Sequence, residues 1–136
     1  MSKFRLIFLF LVSQFLFIHT AYSQATSTFI DLEVEAFSTA LSEKEGAVLL
    51  DVRTPAEWQT GYIDGALLMD FHDPGFEEKL STLDKQKPVF VYCKAGGRSG
   101  KTAEQLYKMG FLEVYNLLGG MTAWEEEKGK ETLVKP

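Results

Sequence analysis

The chain has 136 residues, 46% of them hydrophobic and 13% aromatic, which is enough for one globular core and too little for two of ordinary size. Its formal charge of −5, from 14 basic and 19 acidic residues, excludes a general binder of nucleic acid or of anionic membrane surfaces. One cysteine excludes an internal disulfide, and two histidines far apart in the chain do not build a metal cluster or a Cys/His dyad.

Lys3 and Arg5 precede an apolar run from Leu6 to Ile18, broken only by Ser13 and Gln14, and small or polar residues follow from Thr20. This pattern predicts a secretory signal peptide over residues 1–23, cleaved after Ser23, with cleavage after Ala25 as the alternative. The run falls short of the ~20 apolar residues that span a bilayer, so no stable membrane span is expected after cleavage. Without residues 1–23 the chain keeps 12 basic and 19 acidic residues, a formal −7. A periplasmic or secreted protein is therefore expected, with a polar linker over 24–28, a domain over 29–130 and a loose tail over 131–136.

A short strand near Phe29-Ile30 leads into a helix expected to be capped by Asp31, with Leu32, Ala36, Phe37, Ala40 and Leu41 on one face and Gly46 as its stop. Ala47 to Val52 reads as a buried strand ending in Asp51-Val52-Arg53. Thr54-Pro55-Ala56-Glu57 then has the form of a capping box with proline at the first helical position. Gly61-Tyr62-Ile63-Asp64-Gly65-Ala66 shapes a turn into a strand over Ala66 to Met69. His72, the one histidine left after cleavage, is expected to be a surface or hydrogen-bonded residue. Asp73-Pro74-Gly75-Phe76 opens a helix with Phe76, Leu80 and Leu83 inward, and Asp84 to Lys87 turns into the central strand.

That strand, Val89-Phe90-Val91-Tyr92, ends on Cys93 and is followed by Lys94-Ala95-Gly96-Gly97-Arg98-Ser99, where a helix begins with Ala103, Leu106 and Gly110 on one face. The only cysteine thus stands where a strand of an α/β sheet gives way to a helix, the place where such sheets carry chemistry. Glycines 96 and 97 allow successive amides to converge on one point, and Lys94 and Arg98 add positive charge. Both favour thiolate, so Cys93 is expected to ionise below the ~8.5 of a free cysteine and to act as an exposed nucleophile beside a cradle for a small oxyanion. A lone thiolate of this kind in an oxidising compartment is open to sulfenic acid or mixed disulfide unless it is reduced or loaded with sulfur. Glu113 to Leu117 follows as a strand. Gly119-Gly120-Met121 opens the last helix, with Trp124 in the core; the glycines allow a close approach to the Cys93 loop, although a plain turn is the simpler expectation.

Cys93 to Ser99 resembles the Cys-x-x-Gly-x-Arg-Ser loop of the rhodanese-like sulfurtransferases. The resemblance extends through Leu50-Asp51-Val52-Arg53, Glu57-Trp58, Gly61 to Ala66 and Gly119-Gly120-Met121-Thr122-Ala123-Trp124. Tyr62 and Asp64 depart from the family's histidine and proline in the Gly-His-Ile-Pro-Gly-Ala segment, changes expected to affect rigidity more than chemistry. The resemblance implies a three-layer α/β fold, a central parallel sheet flanked by helices, agreeing with the alternation of strands and helices. It also implies ping-pong transfer of sulfane sulfur through a Cys93 persulfide. Lys94, Ala95, Gly96, Gly97, Arg98 and Ser99 would hold the substrate, with Asp51 and an Arg53 paired to Glu57 in support. No cofactor and no metal are expected. The partners implied are a small anionic sulfur donor, thiosulfate or polysulfide, and a thiol or protein acceptor, served by a monomer.

Ala95 stands where the two-domain thiosulfate enzymes carry a basic residue, which leaves the donor open. A cysteine phosphatase shares the thiolate, nest and arginine but places five residues between cysteine and arginine, and here there are four. A persulfide carrier or docking module without turnover is the other alternative.

Overall fold

A computed structural model describes residues 26–136; the leader read over 1–23 lies outside the described residues. Five parallel strands form the central sheet: β1 (Thr28–Leu32), β2 (Val48–Asp51), β4 (Leu67–Leu68), β5 (Val89–Tyr92) and β6 (Glu113–Leu117), in the order β1-β6-β5-β2-β4. The helices are α1 (Val34–Glu43), the single turn α2 (Pro55–Trp58), α3 (Phe76–Ser81), α4 (Gly97–Lys108) and α5 (Gly120–Lys128). A second, two-stranded antiparallel sheet joins β3 (Tyr62–Ile63) to β7 (Leu133–Val134), which follows a 3₁₀ turn over Lys130–Thr132.

The central strand β5 is apolar throughout and β2 apolar up to Asp51 because both faces of the sheet are covered there, whereas the edge strands β1 and β4 are largely exposed. Side chains alternate between faces. From β5 onward, Val89, Val91 and Cys93 join Phe76 and Leu80 of α3 and Ala103 and Leu106 of α4 in one core. Phe90 and Tyr92 point the other way, onto Phe37 of α1 and Met121 and Trp124 of α5. The Cys93 side chain therefore belongs to the α4 side of the sheet. After β5 the chain crosses through α4 to β6, whereas after β2 it passes to β4 on the opposite flank. The carboxyl ends of β5 and β2 thus border the crevice where open α/β sheets place their sites.

Two expectations are corrected here. Asp31 does not cap α1: it lies in β1 in register with Asn116, whose side-chain amide donates to Asp31 Oδ1 at 2.8 Å. The cross-strand pair prolongs the strand, and the helix begins after Glu33, which makes no side-chain cap bond. Residues 131–136 are not a loose tail either. Ile63 pairs with Leu133 and Tyr62 with Val134, and the Trp124 indole donates to Thr132 Oγ1 at 3.1 Å.

Candidate active site

Cys93 is 1% exposed, so the thiol read as an exposed nucleophile is buried, and burial shields it from bulky oxidants. The loop ends with Gly96 in the left-handed region, φ 103°, and α4 starts directly on it. That turn aims the Gly96 amide at Cys93 Sγ, 3.1 Å away, and the buried Ser99 hydroxyl lies 3.4 Å from the same sulfur. Burial pushes the thiol up, but the Ser99 hydroxyl and the backbone amides of Ser99, Gly96 and Ala95 outweigh it and hold Cys93 below the usual thiol range. The expected direction is the one found, and the largest lowering contributions come from these neutral donors.

Arg98 is engaged elsewhere. Its guanidinium makes two 2.8 Å bonds to the carboxylate of Glu57, 41 residues away in sequence. Glu57 belongs to the capping box of α2, present as read: its carboxylate accepts from the Thr54 amide at 2.8 Å and the Thr54 hydroxyl at 3.0 Å. The Arg98 pair, against the cost of burial and with help from Thr54, lowers the Glu57 carboxyl to about 2. Glu57 in turn raises the pKa of Arg98, and the Cys93 thiolate adds to the effect.

Arg53 therefore does not pair with Glu57 as the resemblance implied. Its Nε donates to Asp51 Oδ1 at 2.9 Å and one terminal nitrogen to Asp51 Oδ2 at 2.6 Å, with Asp51 0% and Arg53 2% exposed. The same nitrogen reaches the Gly61 carbonyl at 2.7 Å, and only the backbone carbonyl of Glu57 receives Arg53, at 3.4 Å. Two residues apart on extended chain, Asp51 and Arg53 share a face, and that spacing was a legible sign of their pairing. Nothing in the spacing announced the Arg98 to Glu57 pair, which depends on β2 and β5 being neighbours.

The first turn of α5 also belongs to the site. Met121 N–H donates to the Cys93 carbonyl at 2.8 Å, and Thr122 donates to the Lys94 carbonyl from its amide at 3.0 Å and its hydroxyl at 3.1 Å. The close approach that the double glycine allowed is realised, and the plain turn is not. A cleft of about 290 Å³ reaches the Cys93 loop at Lys94, and its lining includes Glu57, Met121, Thr122 and Glu125 but not Cys93 itself. Lys94 is exposed and makes no ion pair among the described residues, whereas Arg53, on the same cleft, is taken by Asp51. His72 is exposed, its ring edge-on to Phe71.

Residues 34–127 match the sequence model of the Rhodanese-like domain family, and the chain belongs to that family. A sulfurtransferase of Allochromatium vinosum is 35% identical over 94 residues, 69% of this chain and 86% of that protein. The thiosulfate sulfurtransferase GlpE of Pseudomonas putida is 35% identical over 92 residues, 68% of this chain and 82% of its own length. Among solved structures, a rhodanese-like domain protein from Staphylococcus aureus superposes with a TM-score of 0.66 at 29% identity, covering 78% of this chain and 97% of that one. The polysulfide-sulfur transferase homodimer of Wolinella succinogenes gives 0.64 at 30% identity, over 93% and 87%. The protein is an enzyme of the rhodanese-like sulfurtransferase type.

Proposed function

We propose that the protein is exported and, as a single domain, moves sulfane sulfur from a small anionic donor, thiosulfate or polysulfide, through a Cys93 persulfide to cyanide or a thiol. The observation that carries this reading is the sulfur of Cys93 lying 3.1 Å from the Gly96 amide and 3.4 Å from the Ser99 hydroxyl, inside a ring of donors already pointed at it. The thiolate attacks the outer sulfur of thiosulfate; the sulfur–sulfur bond of the donor breaks and sulfite leaves with its electron pair. The new Cys93–S–S⁻ carries its charge on the terminal sulfur. An acceptor such as cyanide attacks that atom, thiocyanate departs, and the Cys93 thiolate returns, with no external oxidant or reductant.

The amides of Gly96 and Ala95 and the Ser99 hydroxyl hold negative charge on sulfur before and after loading, so little reorganisation accompanies the step. Lys94, without an ion pair among the described residues, draws the anion to the cleft. A monomer is the proposed working form. The basic start and the apolar run from Leu6 to Ile18 support export; mass spectrometry of the protein from a periplasmic fraction, beginning at Gln24, tests it.

Transfer is tested by intact mass after thiosulfate and then cyanide. A gain of one sulfur atom, removed by cyanide with thiocyanate accumulating over many cycles, is the expected result, and Cys93→Ser gains nothing. Loading that persists in Cys93→Ser overturns the mechanism. A stable gain without turnover makes the protein a carrier instead.

A further inference from the structure

The turn into α5 contains two successive glycines in the left-handed region, Gly119 at φ 70° and Gly120 at φ 55°. A Cβ on Gly120 would stand 2.4 Å from the Cys93 carbonyl oxygen and 2.8 Å from the carbonyl carbon and oxygen of Lys94. These are backbone atoms of the active loop and have no flexible end to move aside. The first amides of a helix have no partner within it. Here those of Met121 and Thr122 find partners in the outward carbonyls of Cys93 and Lys94, and the exposed Thr122 adds its hydroxyl to the second.

The consequence reaches the sulfur through peptide geometry. In a trans peptide unit the C=O and the following N–H point in opposite directions, and no peptide bond among the described residues is cis. Holding the Lys94 carbonyl against α5 sends the Ala95 N–H the other way, and that amide is one of the donors that lower the Cys93 thiol. Released from α5, the Lys94–Ala95 unit is free to rotate, and rotation presents a carbonyl oxygen where a donor belongs. We propose that Gly120 and Thr122 are positioning residues, which keep the donor ring of Cys93 assembled by gripping the opposite side of its loop. This rests on Cys93 as the reacting thiol, and it concerns residues that act on the sulfur through the backbone of its loop.

The test is the pH dependence of Cys93 alkylation by iodoacetamide, a readout that needs no sulfur donor and so stands apart from the transfer reading. Thr122→Val keeps the shape and loses the hydroxyl; its profile is expected to move up by about half a pH unit, while Thr122→Ser, which keeps the hydroxyl, titrates as the parent. Gly120→Ala is expected to shift further in the same direction and to lose most of the alkylation rate at pH 7. Circular dichroism and thermal melting establish that each variant is folded, and should Gly120→Ala not fold, the Thr122 pair decides. Folded Thr122→Val with a profile superimposable on that of the parent overturns the proposal, as does an equal shift in Thr122→Ser.

Discussion

Glu57 holds together three parts of the site with one carboxylate. It completes the capping box with Thr54, orients the guanidinium at the end of the Cys93 loop, and lines the cleft. Removing its charge in Glu57→Gln leaves Arg98 free and less ordered. The net charge at the mouth becomes more positive, so the KM for an anionic donor is expected to fall while kcat falls too, a split that steady-state kinetics resolves. Glu57 also sets an acid limit. Its folded value of about 2 lies below the ordinary 4.5, so the stability it contributes is fully present above pH 4.5 and is lost as pH falls toward 2. Melting curves between these limits should fall less steeply for Glu57→Gln than for the parent. At this scale the sequence was most informative about Cys93 and Gly96, because a glycine just past a strand end permits the left-handed turn that aims its amide back at the sulfur. It was least informative about charge. The sequence counted Lys94 and Arg98 together as positive charge beside the sulfur, yet the fold occupies Arg98 with Glu57 and leaves Lys94 exposed.

Among the elements, the end of β2 and the start of β3 are tied by the buried Asp51 and Arg53. Burial works against the charge of Arg53, and its bonds to Asp51 more than offset this, keeping it firmly protonated. Asp51→Asn leaves that guanidinium underpaired in the interior and is expected to destabilise the fold by about 3 kcal/mol or more, read from urea unfolding. The loss should exceed that of Glu57→Gln, whose partner can turn to water. Elements whose apolar period is unambiguous, β2, β5, β6 and α4, stand close to where the sequence placed them. Those that depend on a distant partner do not. β1 runs on through Asp31 because Asn116 answers it, and Tyr62-Ile63 reads as a turn until Leu133 and Val134 supply the other strand.

Across the whole molecule, the last residues close the structure over the α5 side. Leu133 packs with Ile63 and Trp124 in one core, and its Cβ would lie 3.0 Å from one built on Gly61, whose carbonyl Arg53 holds. A chain ending at Gly129 is expected to lose roughly 2 kcal/mol from uncovered apolar surface, with a lower Tm. It should retain the low thiol pKa, since no donor to Cys93 comes from beyond residue 129; a shifted alkylation profile would show that the tail also supports the loop.

The order β1-β6-β5-β2-β4 also governs when the protein can fold. β1 is hydrogen-bonded in the sheet to β6 alone, 85 residues separating Asp31 from its partner Asn116. Until residues 113–117 have been synthesised, the first strand has no neighbour and Phe37 of α1 lacks part of its core. Contacts so distant in sequence make for slow closure. The sheet therefore cannot be completed until the last fifth of the chain has been made.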